Sequence, residues 1–183
     1  MSNRVVLAAA LGAALVHGSA AAQTQAEFRG GLTVGSHSAS AAALDVDPSV
    51  SFDIVVRSQV LPSFAVFGGF FRTAFGCEMG FCTDRDLTVV GNHGALGAEW
   101  GRGGPWLRAG VLFGATKVGS EGETSDPGPG LLAAGGLTLG VGRVRLLPGV
   151  SYRWWSARTA TASDHAIALA LDLGVAFQLG GGS

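Results

Sequence analysis

The chain has 183 residues and a formal net charge of −1, a length that fits one domain. Only 14% of residues are charged and 30 are glycine, whereas about a quarter are charged in a typical soluble domain. A near-balanced charge leaves no electrostatic footprint for nucleic acid.

Met1 to Ala22 carries a lone Arg4, then the run VVLAAALGAALV, and closes on Ala20, Ala21 and Ala22. This reads as a secretory signal peptide cleaved after Ala22, because the apolar run is too short to span and no stop-transfer segment follows. Its removal takes Arg4 and leaves 11 basic against 13 acidic residues. Beyond it no apolar run approaches the ~20 residues of a membrane helix. A hydrophobic, alternating chain without a spanning helix points to the other structure lipid permits, a closed β-barrel.

Eight alternating segments follow. Phe28 to Gly35 opposes Phe28, Leu32 and Val34 to Arg29, Gly31 and Thr33, and Val50 to Ser58 opposes Val50, Phe52, Ile54 and Val56 to Ser51, Asp53 and Arg57. Ser63 to Thr73 is apolar on both faces, and its expected register turns Arg72 inward with Phe67 and Phe71 outward. Leu87 to Trp100 is glycine-rich; placing His93 and Glu99 inside sends Val90, Leu96 and Trp100 out. Trp106 to Lys117 sets Leu107, Ala109, Val111 and Phe113 against Arg108, Gly110 and Thr116. Leu131 to Val141 shows Leu137, Leu139 and Val141 opposite Thr138 and Gly140. Val144 to Trp155 sets Val144, Leu146, Val150, Tyr152 and Trp154 against Arg145, Ser151 and Arg153.

The last segment, Asp164 to Leu179, is the clearest. One face is His165, Ile167, Leu169, Leu171, Leu173, Val175, Phe177 and Leu179; the other is small residues with Asp164, Asp172 and Gln178. Successive side chains of a strand point to opposite sides. A strand this long, tilted near 40°, reaches about 30 Å along a membrane normal.

Connections alternate in length. Short ones fall at 59–62, 101–105 and 142–143, long ones at 36–49, 74–86, 118–130 and 156–163. Outer-membrane barrels have short periplasmic turns, longer extracellular loops and an even strand number, which places both termini on the periplasmic side.

Energy assigns the faces. The opposite register would set Arg29, Asp53, Arg57, Arg108, Arg145, Arg153 and Asp172 against hydrocarbon. Arg or Lys costs about 2–4 kcal/mol at the midplane and roughly 0–1 near the interfaces, so these charges belong to the lumen. An eight-stranded barrel is just wide enough to be filled by its side chains. The expected network is Arg29, Arg57, Arg72, Arg108, Arg145 and Arg153 with Asp53, Glu99 and Asp172, so arginines outnumber acids. It reads either as a polar plug that fixes the barrel, which is preferred, or as a gated ion path.

Aromatic residues fit interface girdles: Trp100 and Trp106 around the 101–105 turn, and Tyr152, Trp154 and Trp155 at the other end of the seventh strand. Cys77 and Cys82 share one long loop and read as a disulfide of an oxidising compartment. The acidic connection SEGETSDPGP reads as a solvated loop, and two thiols without an adjacent His make a poor metal site. No cofactor is implied. Catalysis near a bilayer surface needs a His with a Ser and a carboxylate. Asp164 and His165 are neighbours on a strand and point apart, and no lipase or deacylase motif is present, so an enzyme is not expected.

The signal peptide, eight amphipathic strands, alternating connections and terminal Leu171, Leu173, Val175, Phe177 pattern resemble the small outer-membrane barrels of the OmpA/OmpX and opacity-protein type. The resemblance spans Phe28 to Leu179 and implies that the last strand, ending in an aromatic, is read by the barrel-assembly machinery. This chain continues past that aromatic as Gly180 to Ser183.

The expectation is therefore an all-β, eight-stranded antiparallel up-and-down transmembrane barrel. Residues 1–22 are a signal peptide, 23–179 the barrel and 180–183 a flexible glycine-rich tail. It would be a monomer among outer-membrane lipids and lipopolysaccharide, meeting an extracellular ligand through its loops. Its role would be structural or in surface interaction: membrane integrity, adhesion, or host or phage contact. A narrow channel for ions or small solutes is the alternative, and a lipid A-modifying enzyme the third.

Overall fold

The computed structural model describes residues 23–37, 45–77, 87–101, 104–118, 124–140, 143–158 and 163–179. They form eight strands: β1 (Thr24–His37), β2 (Asp45–Leu61), β3 (Phe64–Cys77), β4 (Leu87–Gly101), β5 (Pro105–Val118), β6 (Gly128–Leu137), β7 (Val144–Arg158) and β8 (Ser163–Leu179). Every strand pairs antiparallel with its chain neighbours, and β8 returns to β1 to close a barrel. Closure removes both sheet edges, so each strand finds its backbone partners within the wall, as lipid requires. The expected signal peptide, the tail at 180–183 and the Cys77–Cys82 bridge lie outside the described residues or side chains.

The register fixes the geometry. A row of paired residues that starts at Gln25 passes through Arg57, Phe67, Gly97, Gly110, Leu132, Arg153 and Ala168 and returns to β1 at Gly35. That stagger of ten residues along β1 goes with strands tilted about 35–45° to the barrel axis.

β1, β2 and β5 outrun their expected bounds at both ends, β3, β4, β7 and β8 at one, and β6 is displaced: it starts at Gly128 and stops at Leu137. Leu139 is held by an isolated bridge to Leu146. Between that bridge and the Gly136–Gly149 pair, the β6–β7 ladder is interrupted. The interruption falls at Pro148, which has no N–H to give. Gly140, at the turn just beyond, has φ +100°, a left-handed conformation that favours glycine.

The outward wall is oily. Leu171 is 68% exposed, Leu107 67%, Leu96 65% and Val50 64%, an arrangement no water-soluble barrel would tolerate on all sides. The inward face is filled by large side chains seated on glycines. Phe67 packs over Gly97 and Gly110, where an added Cβ would come within 2.7 and 2.9 Å of its ring. Trp106 sits over Gly136 and Gly149 at 2.7 and 2.9 Å in the same sense. Much of the glycine richness is thus the small half of a large-on-small packing.

The third strand corrects the expected register. Phe67 and Phe71 are 4% and 2% exposed and point into the lumen, while Arg72 lies on the outward face. With both faces apolar, the sequence offers only Arg72 as a guide to phase, and space decides instead: Gly97 of β4 and Gly110 of β5 leave room inside for the Phe67 ring.

Leu173, near the middle of the outward row of β8, is 57% exposed. Leu173→Arg is expected to lower stability in lipid vesicles by about 2–4 kcal/mol, measured by equilibrium unfolding in denaturant.

Candidate functional site

The lumen holds two ionic tiers separated by apolar side chains. Nearer the short turns, Arg108 of β5 stands directly across from Glu99 of β4 in the ladder. Its Nη2 donates to Glu27 Oε2 and Oε1 at 2.9 and 3.1 Å, and its Nε to Glu99 Oε2 at 3.2 Å. The guanidinium also lies 4.8 Å from the Phe67 ring centroid and 5.4 Å from that of Trp106, so aromatic faces replace part of its lost hydration.

Arg57 completes this tier. Its Nε lies 2.7 Å from Glu99 Oε1 and its Nη1 donates to Gln25 Oε1 at 3.0 Å. Arg29 approaches Glu27 at 4.0 Å and Asp172 at 3.9 Å, contacts that are ionic and too long to be hydrogen bonds. Its other face stacks 4.7 Å from the Trp106 ring centroid.

Val55, Phe67, Phe71, Ala95, Leu112 and Leu132 form the intervening apolar layer. Toward the long loops, Arg153 Nη2 meets Asp53 Oδ2 at 2.7 Å and its Nη1 donates to Thr73 Oγ1 at 2.7 Å, with Phe71 5.2 Å from its carbon centre. Beyond this, Trp155 Nε1 donates to Thr116 Oγ1 at 2.7 Å and Thr33 Oγ1 donates to Ser51 Oγ at 2.7 Å. A last cluster of Phe75, Val89, Trp155, Ala166 and Ala168 is fully buried.

Several expected positions change. The sequence reading misses Glu27 because it starts the first strand at Phe28; yet Gln25, Glu27 and Arg29 share one phase of the period of two. Arg72 faces outward and leaves the network, its Nη1 donating to Asn92 Oδ1 at 3.4 Å. Arg145 lies on the inward face at the short-turn end of β7, partly exposed. The paired interior, among the described residues, is therefore Arg29, Arg57, Arg108 and Arg153 against Glu27, Asp53, Glu99 and Asp172. The expected excess of arginine becomes a balance of four against four among the buried pairs, with Arg145 outside them at the short-turn rim.

The aromatic girdle is also revised. Trp106 is 4% exposed and Trp155 fully buried, both inside the barrel. Trp106 is in phase with Arg108, and Trp155 with Arg153, so the period-two rule outranks nearness to a turn. Trp100 is 49% exposed on the outer wall and meets Phe64 edge-on at 5.4 Å. Tyr152 and Trp154 face outward toward the long-loop end of β7, with Trp154 6.4 Å from the His165 ring. Leu171, Leu173, Val175 and Phe177 line the outward face of β8, and Phe177 packs edge-on against Phe28 at 6.5 Å.

Of the histidines, His93 lies inside against Trp155 at 5.1 Å between centroids, and His165 lies outside; the His37 side chain is not described. His165 lies opposite Ser156 in the β7–β8 ladder, and the side chain of its neighbour Asp164 is not described. No group of three or more metal-ligating side chains occurs among the described residues.

No family model matches the chain, and no curated protein matches it. Solved structures do. Neisserial surface protein A superposes with a TM-score of 0.57 at 15% identity, over 85% of this chain and 97% of that one. The attachment invasion locus protein Ail of Yersinia pestis, in complex with the heparin analogue sucrose octasulfate, superposes with a TM-score of 0.53 at 14% identity, over 86% and 99%. At such identities the likeness is one of fold.

Arg153→Met is expected to cost about 3–5 kcal/mol, because it strands the Asp53 carboxylate in the lumen. Asp53→Asn combined with Arg153→Met should recover much of that loss. Equilibrium unfolding of the single and double variants measures the difference, and simple additivity would contradict this pairing.

Proposed function

Because the chain folds as one of the small eight-stranded outer-membrane β-barrels, we propose that it works as a closed, non-conducting barrel that presents its long connections at the cell surface. Its role on this reading is structural or in surface interaction: membrane integrity, adhesion, or host or phage contact. Residues 1–22 serve as the export signal, the short turns face the periplasm, and the Leu171, Leu173, Val175 and Phe177 row of β8 serves in recognition by the assembly machinery.

The observation that carries this reading is the filled lumen, whose buried charges are paired. Arg108 is clasped by Glu27 and Glu99 and capped by Phe67 and Trp106; Arg153 is clasped by Asp53 and Thr73 above it. Ion passage would have to break these charge-assisted bonds, which are roughly twice as strong as neutral ones. With the interior so occupied, the surface left for recognition is the long-loop end. The Ail complex shows a barrel of this fold with a polysulfated sugar. In this chain the connection bearing Glu121, Glu123 and Asp126 is acidic and is unsuited to such a polyanion.

Planar bilayers containing the refolded barrel should show no steady single-channel steps, and Arg108→Ala should be needed to produce any. Steady steps in the unmodified protein that vanish in Arg108→Ala or Asp172→Ala would favour the narrow-channel reading instead.

A further inference from the structure

We propose that His93 works as an acid-sensitive latch at the long-loop end of the bore. A proton on its imidazole drives the Trp155 indole from its seat and admits water there, while the ionic tier near the short turns stays shut. The latch depends on the packing of the bore and not on which side of the membrane the loops meet.

His93 of β4 is 1% exposed, and neither of its ring nitrogens has a hydrogen-bond partner among the described residues. Its ladder partners, Phe71 of β3 and Gly114 of β5, offer the ring no polar side chain. The imidazole lies 5.1 Å from the Trp155 ring between centroids, and both rings rest on Gly91. A Cβ added at Gly91 would come 2.5 Å from His93 Cε1 and 3.2 Å from Trp155 Cζ2, so the two rings fill the space there and leave none for water. Trp155 in turn donates to Thr116 Oγ1 at 2.7 Å and meets Phe75 at 6.2 Å between centroids. With Phe75, Val89, Ala166 and Ala168 it makes the apolar plug on the loop side of His93. Trp155 is thus the one ring that joins the imidazole to the plug.

At this height the charges are already matched. Arg153 of β7 and Asp53 of β2 are joined at 2.7 Å. Asp53 Oδ1 has no partner of its own, but β3 stands between β2 and β4 and puts Phe71 and Thr73 inward there. Glu99 of the same strand as His93 belongs to the tier nearer the short turns, with Glu27, Arg29, Arg57, Arg108 and Asp172. Arg72 of β3, Lys117 of β5 and His165 of β8 face outward, and β6 carries no ionisable residue. An imidazolium would therefore be a second cation in the tier of Arg153, set against one carboxylate. A buried charge without a partner is costly, and the Trp155 face offsets only part of that cost. Hydration relieves it, and water reaches the ring from the loop end once Trp155 swings away. Opening thus takes up one proton, and linkage makes opening easier as the pH falls through the ordinary imidazole range near about 6.5.

The test uses the refolded barrel in phosphatidylcholine nanodiscs and reads solvent exchange of the Trp155 and Trp106 indole N–H groups by NMR. Trp106, buried in the other tier, is the internal reference, because the intrinsic pH dependence of indole exchange cancels in the ratio of the two rates. Between about pH 6.5 and about pH 5 the ratio of Trp155 to Trp106 exchange should rise about tenfold per pH unit, the signature of one proton taken up on opening. In His93→Leu and in His93→Gln the ratio should stay constant across the same range. Carboxylates titrate in all three proteins, so their part cancels in the comparison. A flat ratio in the unmodified barrel, or an equal rise in the two variants, would overturn the latch. The unmodified profile answers the question even if neither variant folds, since a one-proton slope upholds the latch and a flat one removes it. None of these outcomes bears on whether the bore conducts.

Discussion

Backbone closure is the constraint on which everything else in this molecule depends. In hydrocarbon an unpaired amide or carbonyl costs several kcal/mol, so eight strands must find partners on both sides, and β8 must meet β1. Closure at eight strands with a ten-residue stagger fixes a bore that side chains fill. The filling in turn requires small residues opposite large ones. Gly97 and Gly110 beneath Phe67, and Gly136 and Gly149 beneath Trp106, are consequences of the bore, and the low charge content is a consequence of the wall.

Deep within that bore, charge is admitted in pairs. Four arginines and four carboxylates are interleaved across strands distant in sequence; Arg108 and Glu27 are separated by 81 positions and Arg153 and Asp53 by 100. Such pairs hold the register of the strands that supply them, since a slip of one residue in β1, β2, β4, β5, β7 or β8 would send its charges into lipid. Their net stabilising value against an apolar filling is small. Their value in specifying one arrangement follows from the cost of every other.

Most of this was legible in the sequence where one face was oily and the other small or charged. The row from Leu169 to Phe177 in β8, and Arg108 between Leu107 and Ala109 in β5, needed only the period of two. β3 was not legible, because FAVFGGFFRTAF is apolar on both faces and a single arginine was asked to set its phase. The inside of that strand is decided by glycines on β4 and β5, a relation visible only once the ladder is known. Glu27 is hidden by an expected strand start four residues too late, at Phe28 instead of Thr24, which makes the lumen look cationic. Trp106 and Trp155 were assigned to the girdle from their nearness to strand ends, against their own phase with Arg108 and Arg153. Loops and headgroups leave no comparable periodic trace, which is why the fold was readable and the ligand was not.

The wall is not equally knit around its circumference. Where Pro148 withholds an amide, β6 and β7 are joined toward the short turns by little more than the Leu139–Leu146 bridge, and β6 is the shortest strand of the eight. Mechanical compliance is thereby concentrated along one meridian of the cylinder. Lateral pressure from the bilayer will be absorbed there first, leaving the opposite arc, where β1, β2 and β3 are held by long ladders with irregularities only near their ends, to keep its shape.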